Sequence, residues 1–306
     1  MIAVASAFAT AAAAQNYPAK PIRLVVGFPA GGPADIIART TGQKLSELLG
    51  QQVVIDNRGG ASGMIAAENV AKSAPDGYTT HLAGVGVMTT NPVLYKNLSW
   101  DPVKSFEPTA NLAVVPYVVV AGNNVPAKGM QELMALAKAK PGTLNCAHSG
   151  PGTTAHLGCE MLKSAAKIDI VPIPYKGTVP AFIDVVAGQA QLMFAVMQGG
   201  LPQVKAGKLK ALAVTSRKRT DAMPDLPSMI EAGVKDFEVS TWIGVLAPRG
   251  TPPEDDGSAA AVRQSASMHC SDVASSSTQS ASVRHARPYA ASGSDSRRSA
   301  HGSSSG

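Results

Sequence analysis

The stretch from Ile22 to Arg39 constrains the fold of this chain more than any other part: it reads IRLVVGFPAGGPADIIAR. It predicts a buried strand from Ile22 to Phe28, a turn of proline and glycine, and a helix that starts near Pro33. Proline suits the first helical position, and Asp35 in the first turn suits the positive end of the helix dipole. A strand that feeds a helix through bare glycines leaves N–H groups uncovered at that end, which favours an anion site. The alternative is a tight connection in which Asp35 only satisfies the backbone.

The same arrangement recurs at Ser149 to His156, which reads SGPGTTAH. A predicted strand is followed by a glycine–proline turn and then by a helix whose first residues carry hydroxyl groups. Two such helix starts facing one cleft suit an anion with two acidic groups, although Thr153 or Thr154 can equally act as an ordinary helix cap. A weaker third candidate is the loop from Gly84 to Val87, which follows a predicted strand.

Strands and helices alternate along most of the chain, which predicts an α/β fold with parallel sheets. Two βα series are joined by crossings near Ala121 and Gly233, so we expect two lobes with a ligand cleft between the carboxyl ends of their sheets. Pro116 interrupts an apolar run and predicts an edge or a crossing point. Ser62 is predicted to cap a helix that runs to about Lys72.

Both ends of the chain differ from this pattern. Residues 1–14 are small and apolar and end in an Ala-x-Ala pattern, which predicts a cleaved secretory signal, although the usual basic start is missing. Residues 255–306 contain no Leu, Ile, Phe, Trp, Lys or Glu and are rich in serine. This composition predicts a disordered tail, and its abrupt onset indicates a reading-frame change.

Composition excludes several classes of function. The net charge is +6, but Lys and Arg do not cluster with aromatic residues, so we expect no nucleic-acid partner. The chain has no H-E-x-x-H, Walker A, C-x-x-C or G-x-G-x-x-G motif, so we expect no metal and no cofactor.

Cys146 and Cys159 are interpreted as buried free thiols in preference to a disulfide. His81 and His148 lie in strand-like sequence and are predicted to be core residues.

An enzyme remains an alternative because Ser149 and His156 lie close together in the sequence. A hydrolase or isomerase would need this serine to be activated by a base in reach. Ser149 does not lie in a G-x-S-x-G elbow, so a binding protein is the favoured interpretation.

Several motifs occur in the order expected of one family: FPAGGPADIIAR, NRGGASGMIAAENVAKSAPDGYT, NPVLYKNLSWDPVKSFEP, SGPGTTAHLGCEML, PYKGTVPAFIDVVAGQ and STWIGVLAPRGTPPE. From Tyr17 to Glu254 the chain resembles the periplasmic solute receptors of tripartite tricarboxylate transporters, the TctC/Bug family. The resemblance implies a type II periplasmic-binding-protein fold that closes around a small mono- or dicarboxylate. It further implies a monomeric periplasmic protein that delivers its ligand to a membrane transporter without chemistry. The lobes are expected at 15–121 plus 234–254 and at 122–233.

The resemblance also implies which residues bind the ligand. In the first lobe these are Phe28, Ala30, Gly31, Gly32 and Asp35, with Gly84, Val85 and Gly86 lining the same side. In the second lobe they are Ser149, Gly150, Thr153, Thr154, His156 and Met197.

Two departures from the family pattern bear on the ligand. Ala34 stands where threonine is common, and Val85 and Val87 are more apolar than usual, which favours a ligand with an apolar body. The resemblance also implies closing helices on the first lobe, which the tail at 255–306 replaces, so we expect the chain to be poorly stable. A non-functional product of a frame-shifted receptor gene stays open as a further alternative.

Overall fold

The computed structural model of the chain describes residues 17–252, so the predicted signal (1–14) and tail (255–306) lie outside the described residues. Its strands are β1 Ile22–Val26, β2 Val53–Asn57, β3 Thr79–Gly84, β4 Phe106–Gly122, β5 Asn145–His148, β6 Val171–Pro174, β7 Leu192–Val196, β8 Leu209–Val214 and β9 Ser240–Pro248. Its helices are α1 Pro33–Leu49, α2 Met64–Ala71, α3 Asn91–Leu94, α4 Met130–Ala139, α5 Thr154–Ala166, α6 Thr178–Val186 and α7 Met197–Lys205.

The strands form two sheets that share β4. The first sheet has the order β2-β1-β3-β9-β4, and the second contains the end of β4 together with β7, β5, β6 and β8. Strands β1, β2 and β3 pair in parallel, as do β5, β6 and β7, whereas β9 and β4 pair antiparallel to their neighbours. The alternating α/β pattern is thus confirmed, and antiparallel strands connect the two parallel groups.

The long strand β4 changes partner at Pro116. It pairs with β9 up to Pro116 and with β7 and β8 from Tyr117 and Val118 onward. Buried Thr215 holds this crossing together, because its hydroxyl oxygen accepts the N–H of Tyr117 at 2.8 Å and lies 2.5 Å from the carbonyl oxygen of Val239. The predicted crossing at this proline is confirmed, and the lobe boundaries expected near Ala121 and Gly233 stay a prediction.

The opening strand, turn and helix are confirmed, although the strand ends at Val26 and not at the predicted Phe28. Strand β1 is almost wholly buried, and helix α1 begins at Pro33 with no side-chain cap on Gly32. The helix ends at Leu49, and the residue after it, Gly50, has a φ of 64°, the left-handed conformation that glycine adopts without strain.

Two local predictions are wrong. Ser62 does not cap a helix, since α2 begins at Met64 after Gly63, and Ser62 itself has a φ of 53°. Its hydroxyl instead donates to the carbonyl of Pro151, 89 residues away, at 2.6 Å. The segment after Gly84 is helical rather than a loop, because a π turn at Gly86–Thr90 continues into α3.

The interpretation of Cys146 and Cys159 as free thiols is also wrong, because the two residues form a disulfide. Cys146 lies on β5 and Cys159 on α5, and both are fully buried in the core of the second sheet. Helix packing brings the two thiols together, and their spacing in the sequence does not reveal this.

Candidate functional site

A cavity of about 110 Å³ lies between the two sheets at the carboxyl ends of their parallel strands. Eight of the predicted site residues line it: Phe28, Gly32, Gly84, Val85, Gly86, Ser149, Thr153 and Thr154. These residues come from all three predicted loops. The structure therefore brings the FPAGGPAD and SGPGTTAH segments to one cavity.

Three predicted residues of the first loop do not line the cavity. Ala30 is exposed outside it, and Asp35 is buried beneath the turn, where its Oδ2 accepts from the N–H of Gly31 and from Nε of Arg39, both at 2.9 Å. Burial opposes the charged form, but the hydrogen bonds from Arg39 and Gly31 outweigh it and lower the pKa of Asp35. The Gly31 amide is committed to this carboxylate, so Asp35 satisfies the backbone at the helix start.

In the second lobe, Gly150, His156 and Met197 are likewise absent from the cavity wall. The Gly150 carbonyl accepts the Thr153 hydroxyl at 2.7 Å, and Nδ1 of His156 accepts the Gly152 N–H at 3.2 Å. Met197 is buried in the core at the start of α7. These three residues therefore contact other parts of the protein and not the cavity.

A third helix start at the cavity was not predicted as part of the site. Thr178 and Val179 begin α6 and line the wall, together with Tyr117, Thr241 and Ile243 from the crossing strands. The signal for α6 was present, because Gly177 separates strand β6 from the helix as in the other two loops. Tyr117 and Thr241 carry no comparable local signal.

Helices α1, α5 and α6, of 17, 13 and 9 residues, therefore all begin at the cavity. The first-turn N–H groups of a helix have no partner inside the helix, and its dipole places roughly half a positive charge there. Among residues 17–252, no Lys, Arg, Asp or Glu lines the cavity. Backbone amides, helix dipoles and hydroxyl groups thus supply the means of holding an anion.

His81 is the one histidine in the wall of the described cavity. It is fully buried, as predicted, and its Nδ1 lies 3.1 Å from the carbonyl oxygen of Val25. Burial lowers the pKa of His81 to about 4, so the ring is neutral at pH 7. Because Nδ1 faces a carbonyl, it carries the proton, and Nε2, which has no partner within residues 17–252, is a hydrogen-bond acceptor.

The two sides of the cavity touch at its rim. Besides the Ser62 to Pro151 hydrogen bond, Asn91 Nδ2 donates to the Ser62 carbonyl at 3.2 Å. Gly86 faces Gly152 so closely that a Cβ on Gly86 would lie 3.2 Å from the Gly152 carbonyl oxygen. These contacts enclose the cavity on the side of α5.

The geometry does not support a nucleophile–base pair. Within the described residues, no hydrogen bond joins Ser149 to His156, whose Nδ1 is occupied by the Gly152 N–H and whose ring lies 4.5 Å from that of His148. In the same part of the chain, no group of three or more His, Cys, Asp or Glu is arranged to hold a metal ion.

Comparison with known proteins agrees with this geometry. A family model described as the tripartite tricarboxylate transporter family receptor, TctC, matches residues 37–270. The structure of the periplasmic binding protein BugD is 38% identical with a TM-score of 0.79, and the match covers 85% of this chain and 87% of BugD.

Two of the similar structures contain carboxylates. Rpa4515 of R. palustris, determined with adipate, is 36% identical with a TM-score of 0.79, covering 82% of this chain and 83% of that one. MatC from Rhodopseudomonas palustris, with bound malate, is 33% identical with a TM-score of 0.76, and the match covers 82% of this chain and 85% of MatC.

The two sheets and the cleft between them define a periplasmic-binding-protein fold, as predicted. The chain belongs to the TctC family of tripartite tricarboxylate transporter receptors. The proteins of this family to which it is similar are solute-binding receptors.

Proposed function

We propose that this chain is a periplasmic receptor that captures a small mono- or dicarboxylate in the cavity between its sheets. It delivers the ligand to membrane subunits of the tripartite tricarboxylate type and performs no chemistry on it. Family membership and the carboxylates bound by two similar structures support this proposal. The proposed ligand-binding groups are the first-turn amides of α1, α5 and α6 and the hydroxyls beside them.

The observation that carries the proposal is the meeting of three helix N-termini at a cavity without charged side chains. The dipoles sum to more than one positive charge equivalent, at roughly half a charge each. This is enough to balance one carboxylate without a counter-ion from Lys or Arg. Water-mediated contacts can complete the binding at little loss of affinity.

Placing a fixed negative charge at one of these helix starts tests the proposal. Ala34 lines the cavity at the second position of α1, so Ala34→Asp sets a carboxylate where the ligand would bind. An acidic side chain at this position favours the helix, so the variant should fold. We expect it to lose carboxylate binding in calorimetry, whereas Thr40→Asp, an exposed site on the same helix, should bind like the unmodified chain.

Equal affinity in Ala34→Asp and Thr40→Asp would contradict the proposed site. The enzyme alternative needs a separate test with esters and amides of the carboxylate that binds best. We expect no turnover; hydrolysis that disappears in His156→Ala would establish the enzyme instead.

The remaining parts of the proposal concern location, assembly and motion. Within residues 17–252 no helix is both long and apolar enough to cross a bilayer. We expect the chain in the periplasmic fraction, a monomer by light scattering, and ligand uptake only in cells that carry the transporter. The lobes at 15–121 plus 234–254 and at 122–233 are expected to close on the ligand, which small-angle scattering with and without carboxylate will detect.

A further inference from the structure

Most hydroxyl groups in the cavity wall are already engaged by the protein. Thr153 donates to the Gly150 carbonyl at 2.7 Å, and Thr241 donates to the carbonyl of the next residue at 3.1 Å. The Thr154 hydroxyl is hydrogen-bonded to Tyr117. These groups are therefore poor candidates for a direct bond to a second anionic group.

The uncommitted hydroxyls lie together on one side. Within the described wall, the side-chain hydroxyls of Ser149 and Thr178 make no hydrogen bond. Ser149 precedes α5 and Thr178 is the first residue of α6, so both lie near helix starts of the second sheet. Because the dipoles of these helices are also positive there, one carboxylate finds both its donors and its compensating charge in this region.

The wall that β3 and β9 contribute has a different character. Leu82, Ile243, Val85 and Val87 line it with apolar residues. Buried His81 adds no donor there, because its Nδ1 proton faces the Val25 carbonyl and its Nε2, which has no partner within residues 17–252, is an acceptor. The helical segment after Val85 is a five-residue π turn with a four-residue helix, so its dipole is weaker than those of the three long helices.

We propose that the ligand is a monocarboxylate with an apolar body, whose body lies against this wall, and that Val85 is a residue that sets this preference. The proposal rests on the carboxylate site proposed above and narrows its ligand class. A second carboxylate against the β3 and β9 wall would lose its water without gaining a charged partner, which is strongly unfavourable. An apolar end group in the same place gains by leaving water.

Hexanoate and adipate test this directly, because they share six carbons and differ only in the second carboxylate. We expect calorimetry on the dialysed full chain at pH 7 to give an affinity for hexanoate at least about tenfold above that for adipate. A second pair, butanoate and succinate, should show the same order with weaker binding, since a shorter body buries less apolar surface.

Val85→Thr tests the specificity residue, because it keeps the shape of the side chain and adds one hydroxyl donor. We expect it to reduce the hexanoate-to-adipate ratio by at least about threefold. Val114→Thr makes the same chemical change on an exposed part of β4 outside the cavity and should leave the ratio unchanged.

The outcomes separate this inference from the proposed function. Adipate binding as tightly as hexanoate, or more tightly, would overturn the monocarboxylate preference and leave the carboxylate receptor intact. Failure of every mono- and dicarboxylate to bind would overturn both. If the ratio of hexanoate affinity to adipate affinity falls equally in Val85→Thr and Val114→Thr, Val85 does not set the preference.

Discussion

Removing the disulfide between Cys146 and Cys159 should destabilise the chain by an amount that follows from its loop length. The bond joins residues with a sequence separation of 13, and a cross-link of that span stabilises by about 3 kcal/mol through the entropy of the unfolded chain. Both residues are fully buried, so the bond lies within the core. The bond also ties strand β5 to helix α5 on either side of the loop that carries Ser149.

The assay is urea unfolding of the unmodified chain with and without a reductant. With a denaturant slope near 3 kcal/mol per molar, a loss of about 3 kcal/mol lowers the midpoint by about 1 M. The variant Cys146→Ala/Cys159→Ala should match or fall below the reduced chain, because each alanine also leaves a small cavity. Cys270→Ala, which retains the bond, should keep the same sensitivity to reductant.

A thiol titration of the denatured, non-reduced chain gives the refuting result. The sequence contains three cysteines, so the disulfide leaves one thiol free. Three reactive thiols per chain, or a midpoint that does not respond to reductant, would show that Cys146 and Cys159 are unpaired and that the reasoning fails.

Three further predictions concern the cavity rim, a helix cap and pH. Ser62→Ala removes the 2.6 Å hydrogen bond to Pro151 and should weaken ligand binding by about 2- to 10-fold. Ser62→Gly should bind equally weakly but melt higher than Ser62→Ala, because glycine relieves the positive φ; unchanged affinity in both would exclude a role for this contact. Thr153→Ala should lower the free energy of unfolding by about 1 kcal/mol through loss of the cap, and an unaltered thermal melt would contradict this. The unfolded chain takes up protons at its histidines near pH 6.5, whereas burial lowers the pKa of His81 and of His148 to about 4 in the folded chain. As the pH falls from 6.5 to 4, each of the two should therefore lower the free energy of unfolding by up to about 1.4 kcal/mol per pH unit. A His81→Gln chain whose stability falls as steeply as that of the unmodified chain would refute the contribution of His81.

Local chemistry made the main units of the fold predictable. Apolar runs such as Ile22 to Val26, the proline at the first position of α1 and the glycine at its end act within a few residues, so the sequence shows them directly. The same signals located two of the three helix starts at the cavity. The third, at Thr178, carried the same signal after Gly177.

Prediction failed where a residue's partner is distant in the chain. Ser62 looks like a helix cap until its hydroxyl meets the carbonyl of Pro151, 89 residues away in the chain. Residues that reach the cavity from crossing strands, such as Tyr117, share no local motif with the loops they meet.

The sequence alone therefore determined the succession of strand, glycine turn and helix, and with it the family of the protein. Only the tertiary structure decided which helix starts face the same cavity and that Cys146 bonds Cys159. The physical reason is the distance along the chain over which each interaction acts. Capping, turn geometry and hydrophobic periodicity depend on neighbours in the chain, whereas a binding site and a cross-link depend on how the elements pack in space.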